Sequence, residues 1–61
     1  MYVKMIGKHG DSYYRKLGDC FDFVWDKEYG TNLTEAQVET IMKSKDTYCK
    51  WYGASDLVVE H

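Results

Sequence analysis

The side chains able to do chemistry are few and scattered. His9, Cys20, Cys49 and His61 are the residues a zinc ion would draw on. Zinc sites usually take their ligands in close pairs, because one tight turn then presents two of them. Each of these four stands alone, which argues against a metal centre. His9, Asp11 and Ser12 are near neighbours, yet no nucleophile-elbow pattern surrounds them. Cys20 lies between Asp19 and Asp22, the opposite of the electropositive setting that makes a thiol nucleophilic. Neither phosphate-loop glycine pattern occurs. The expectation is a chain with no catalytic residues, no metal and no cofactor.

The remaining chemistry is that of contact. Lys43, Lys45 and Lys50 interleave with Tyr48, Trp51 and Tyr52, and Tyr13-Tyr14-Arg15-Lys16 repeats the mixture. Such sets can pair phosphates while bases stack on the rings. Against a nucleic-acid partner stands a net charge of −2, with the acids spread along the chain rather than segregated. The converse reading, mimicry of DNA by Asp19, Asp22, Asp26 and Glu28, needs no more than the carboxylates that solvate any exposed strand rim. Both readings rank below a protein interface.

A chain of 61 residues makes one domain, 1–61, with no proline, linker, repeat or low-complexity run to divide it. At this length folding removes only about 60% of the surface the unfolded chain exposes, so stability needs help. Apolar residues at 44% and charged ones at 30% give a globular balance. No apolar run reaches the length of a secretory or membrane-spanning segment. A cytoplasmic setting with no membrane partner is therefore expected, with Cys20 and Cys49 reduced rather than bridged. Asn32-Leu33-Thr34 then matches a glycosylation sequon by accident.

Local patterns supply the scaffold. Residues 2–6 alternate, with Val3 and Met5 on one side and Tyr2, Lys4 and Ile6 on the other, as in a strand. Gly7-Lys8-His9-Gly10-Asp11 reads as a loop, and Ser12–Leu17 as a second strand rich in β-formers. Gly18-Asp19 suits a two-residue hairpin turn. Phe21, Phe23 and Trp25 follow at period 2 and define an aromatic face on a third strand; a helix from Asp19 to Gly30 is the rival reading. Residues 26–30 form a turn or a single helical turn. Thr34-Glu35-Ala36-Gln37 is a capping box, with Leu33 placed to staple onto Val38. Val38, Ile41, Met42, Lys45 and Tyr52 keep a helical spacing toward Gly53, a fitting stop. The helix is expected to run to Tyr52; an end near Lys45, with residues 48–52 extended, is the alternative. Leu57-Val58-Val59 closes as a short strand. The order β-β-β-α-β is α+β: a small antiparallel sheet with one helix packed on one face.

One helix covers one sheet face, and it would rest on Val3, Met5, Phe21, Phe23 and Trp25. An aromatic content of 16%, made of six Tyr, two Trp and two Phe, exceeds what that single layer can use. Tyr and Trp concentrate at binding hot spots because they bring area at little entropic cost. Tyr13, Tyr14, Asp22, Phe23, Trp25, Asp26, Trp51 and Tyr52 are accordingly the candidate partner-binding residues, the two acids serving as rim charges. Tyrosines lining a core edge with hydroxyls in water are the simpler explanation. A homodimer on the open sheet face is a further possibility.

Taken as a pattern, Tyr2-Val3, Tyr13-Tyr14, Trp25, then Thr31-Asn32-Leu33-Thr34-Glu35-Ala36 opening a helix and Val58-Val59 closing, the chain resembles the small accessory proteins encoded by bacteriophages. The resemblance implies a non-catalytic module that binds a bacterial host enzyme or defence complex in the host cytoplasm and inhibits or redirects it. It supplies no shared site residues to carry over.

Overall fold

The computed structural model describes residues 1–61. Four strands, β1 (Tyr2–Gly7), β2 (Gly10–Leu17), β3 (Cys20–Val24) and β4 (Asp56–Glu60), form one antiparallel sheet in the order β3-β2-β1-β4. Two helices, α1 (Glu35–Lys43) and α2 (Lys45–Tyr52), lie between β3 and β4 in sequence. The chain is thus a small α+β fold.

Two turns set the register. Gly7 pairs with Gly10, so the first hairpin closes over Lys8-His9 alone rather than over the longer loop that the residue types suggest. Gly10, at φ 132°, holds a backbone conformation that side-chain-bearing residues rarely adopt, which is how the strand resumes so early. Leu17 pairs with Cys20 across Gly18-Asp19, and Gly18 takes the positive φ of 60° expected at the first central position of a primed turn. Each strand then alternates. Val3, Met5, Ser12, Tyr14 and Leu57 turn inward and are buried. Tyr2, Lys4, Ile6, Tyr13 and Val58 occupy the other face, half-buried.

The connection from β3 to α1 crosses that second face. Lys27–Tyr29 forms a single 3-10 turn, with the Lys27 ammonium 5.0 Å from the Tyr2 ring centroid and 3.7 Å from the Glu60 carboxylate. The chain then enters the split between β1 and the second half of β2. Thr31 N–H donates to the Tyr14 carbonyl at 3.0 Å, and Leu33 N–H to the Met1 carbonyl. Passing through this split delivers α1 to the inner face. The capping box forms as the sequence predicts: Gln37 N–H donates to Thr34 Oγ1 at 3.2 Å, and Thr34 N–H to Gln37 Oε1 at 2.8 Å. Leu33, Val38 and Ile41 join Val3, Met5, Tyr14 and Leu57 in the core.

The expected single helix is two. Ser44 leaves the helical region at φ −105°, ψ 23°, and its N–H bonds to the Ile41 carbonyl three residues back. Serine is a middling helix former, and the Ser44 side chain makes no capping bond at the junction. Helix continues nevertheless to Tyr52, which excludes an extended 48–52, and Gly53 ends it in the left-handed region at φ 64°. A Lys45–Asp56 ion pair at 2.7 Å ties the start of α2 to the start of β4. The strand carrying Phe21 and Phe23 ends at Val24, one residue before Trp25, which is 67% exposed and no part of the layer under the helices.

Candidate protein-interaction site

Trp25 leaves the sheet at the point where β3 stops pairing with β2. Free of the ladder, its indole lies over the first hairpin: a Cβ added at Gly10 would sit 3.7 Å from Trp25 Cζ3. On the other side stands the C-terminal turn of α2. Between them opens a groove of about 340 Å³, with Met5 and Phe23 on its apolar surface, Trp25 and Tyr52 as side walls, and Lys8 and His9 at the hairpin end. Ser12, buried on β2, and Ala54 also line it.

The α2 wall is held by rings. Tyr14 stacks on Phe21 with centroids 5.2 Å apart, and meets Phe23 edge-on at 5.6 Å. Tyr48 contacts Phe21 edge-on at 5.3 Å, and Tyr52 reaches Phe23 at 5.0 Å. Trp51 extends the chain outward through Tyr48 at 6.1 Å. Such pairs each contribute about 0.5–1.5 kcal/mol beyond their area. They matter here because α2 contains no fully buried residue of its own. The same contacts that anchor α2 leave Trp51 68% and Tyr52 48% exposed.

The sequence candidates therefore separate into groups. Phe23, Trp25 and Tyr52 meet at the groove, and Trp51, the residue before Tyr52 in α2, does not line it. Asp26 is exposed beside Trp25 and precedes the 3-10 turn. Tyr14 is 9% exposed and belongs to the core, so its ring offers a partner no free face. Tyr13 lies on the opposite side of the sheet. Asp22 also belongs to that side through its pairing with Arg15, although it reaches the groove edge. Lys8, His9, Met5, Ser12 and Ala54 line the groove but are not among the partner-binding candidates read from the sequence. Lys8 and His9 look like solvated loop residues until the two-residue turn carries them to the groove, and Met5 and Ser12 look like ordinary core-facing strand positions.

Charges near the site are largely paired. Arg15 forks onto Asp22 through Nε at 2.8 Å and Nη2 at 2.5 Å. That hydrogen-bonded guanidinium holds the Asp22 carboxyl below its ordinary value, and the carboxylate holds Arg15 above its own. Lys4 pairs with Asp11 at 3.7 Å. Lys45, counted among the basic residues near the aromatics, is committed to Asp56, which raises its ammonium and lowers the Asp56 carboxyl. Burial raises the Tyr13 and Tyr14 phenols, aided by Glu60 at Tyr13 and by Tyr48 at Tyr14.

His9, Asp11 and Ser12 do not form one constellation, since strand alternation sends Asp11 outward and Ser12 inward. No three His, Cys, Asp or Glu side chains gather in a way that could hold a metal ion. No helix is long and apolar enough to cross a membrane. No family model, curated protein or solved structure matches the chain.

Proposed function

We propose that this chain is a non-catalytic protein-binding module that engages a bacterial protein and blocks or redirects it, in the manner of small phage-encoded inhibitors acting in a host cytoplasm. The observation that carries the binding reading is the exposure of Trp25 and Tyr52 as walls of an open groove, with Trp51, also exposed, next to Tyr52 in α2. A domain this short gains stability from every ring it buries, at about 1.5–3 kcal/mol for a large side chain. Leaving two tryptophans in water forgoes that gain, and tryptophan and tyrosine are the residues from which interface hot spots are built. The bacterial target class rests on the resemblance in pattern to phage accessory proteins.

The reading is tested by affinity capture from bacterial lysate with the wild-type chain and with Trp25→Ala and Trp51→Ala. A protein retained by wild type and released by the variants supports it. A wild-type chain that retains nothing, or variants that capture as well as wild type, refutes it.

A further inference from the structure

We propose that the groove between Trp25 and Tyr52 receives a large apolar side chain from an acidic peptide segment, whose carboxylate is met by Lys8 at the hairpin mouth. This inference rests on the protein-binding reading and specifies the partner's chemistry. At about 340 Å³ the groove lies near the low end of ligand pockets, which suits one leucine, phenylalanine or tryptophan side chain rather than an extended cofactor. Its apolar surfaces are the buried Met5, Phe23 and the two exposed ring walls.

The charge of the occupant follows from what is already neutralised. Asp22 at the groove edge is bound bidentately by Arg15, and Asp11 is paired with Lys4. Lys8 makes no ion pair, since the four formed use Lys4, Arg15, Lys27 and Lys45. The groove lining therefore presents an uncompensated ammonium with no free carboxylate to answer it. An anion on the occupant supplies the complement, and such pairing governs specificity and encounter more than raw affinity. A nucleic acid would also offer an anion and a flat ring. It is disfavoured because the one unpaired lysine at the groove cannot track a phosphate backbone.

The test is an amide-resolved NMR titration of the intact chain with three probes. These are acetyl-Glu-Leu-Phe-Glu-amide, its uncharged counterpart acetyl-Gln-Leu-Phe-Gln-amide, and a thymidine hexanucleotide. The acidic peptide is expected to shift the signals of Gly10, Ser12, Phe23, Trp25 and Ala54, with the glutamine peptide binding about two- to fivefold more weakly. Lys8→Gln, at an exposed turn, should abolish that difference while keeping the weaker binding, and Trp25→Ala should lose both peptides. Equal affinity of the two peptides for wild type, an unchanged preference in Lys8→Gln, or tighter binding of the oligonucleotide overturns the proposal. Silence of both peptides overturns it too. If a lysate protein is still captured in a Trp25-dependent way, the binding reading survives that failure; if capture also fails, both fall.

Discussion

At the scale of single residues, rings of similar type do opposite work. Tyr14 and Trp25 are both aromatic residues near the β2–β3 pairing, but one is 9% and the other 67% exposed. Tyr14→Ala should destabilise the chain by about 3 kcal/mol, as large-to-small changes in a core do. Trp25→Ala should stay within about 0.5 kcal/mol of wild type, the usual range for surface changes. Urea midpoints compared at constant slope separate the two cases. The ionisable groups make a further prediction. Asp22 and Asp56 are held below the ordinary 3.8 by Arg15 and Lys45, so the stability they add is present above 3.8. It is lost as pH falls from there through the lower folded-state values. Asp22→Asn should flatten part of that acid loss, by a small amount because both partners are substantially solvated. At the other extreme, Tyr14 is held above the ordinary 10.0 by burial. The unfolded chain gives up that proton more readily, so stability should fall as pH rises past 10.0, and less steeply in Tyr14→Phe.

At the scale of elements, the connection from β3 to α1 does most to organise the molecule. Gly30 sits where a Cβ would come within 2.9 Å of Tyr13 Cβ and 3.2 Å of the Lys27 carbonyl. Gly30→Ala must push the crossing segment off the sheet, and should cost about 1–3 kcal/mol, as overpacking does. Thr34→Ala removes one arm of the capping box and should cost about 1 kcal/mol. Both are read from denaturation midpoints. These elements also show what the sequence could disclose. The capping box is legible because its partners are three residues apart, and the hairpin at Gly18-Asp19 because turn chemistry is local. Strand faces follow from alternation alone. The break at Ser44 is less visible, since Asp46-Thr47 looks the weaker point and no local rule favours one over the other. The groove is hidden further, because its walls come from Met5, Lys8, Phe23, Trp25 and Tyr52, which only sheet register and the angle of α2 bring together. Naming Tyr13, Tyr14 and Asp22 with Trp25 and Tyr52 merges residues that the pleat sends to different sides.

At the scale of the whole molecule, a two-helix layer covers one sheet face and a single 3-10 turn crosses the other; of the exposed rings, Trp25 and Tyr52 meet at the groove, Trp51 lies on α2 and Tyr29 on the 3-10 turn. The sheet edges carry their own restraint. A second copy added to β3 about a two-fold axis through Asp22 would set Asp22 against Asp22. The same operation on β4 about Val58 would set Asp56 against Glu60. Charged edges guard against such pairing, and at either seam these acids would also have to accommodate their own partners, Arg15, Lys45 and Lys27. The chain is accordingly expected to run in light scattering at its single-chain mass of 7.2 kDa, and a doubled mass would transfer the exposed rings to a self-interface. The central claim is that the end of the domain marked by Trp25 is a surface for another protein. The most direct measurement is affinity capture from bacterial lysate with wild type beside Trp25→Ala, both confirmed folded by their urea midpoints. The account predicts a partner held by wild type and lost from Trp25→Ala; an empty wild-type capture, or the same partner held equally by both, contradicts it.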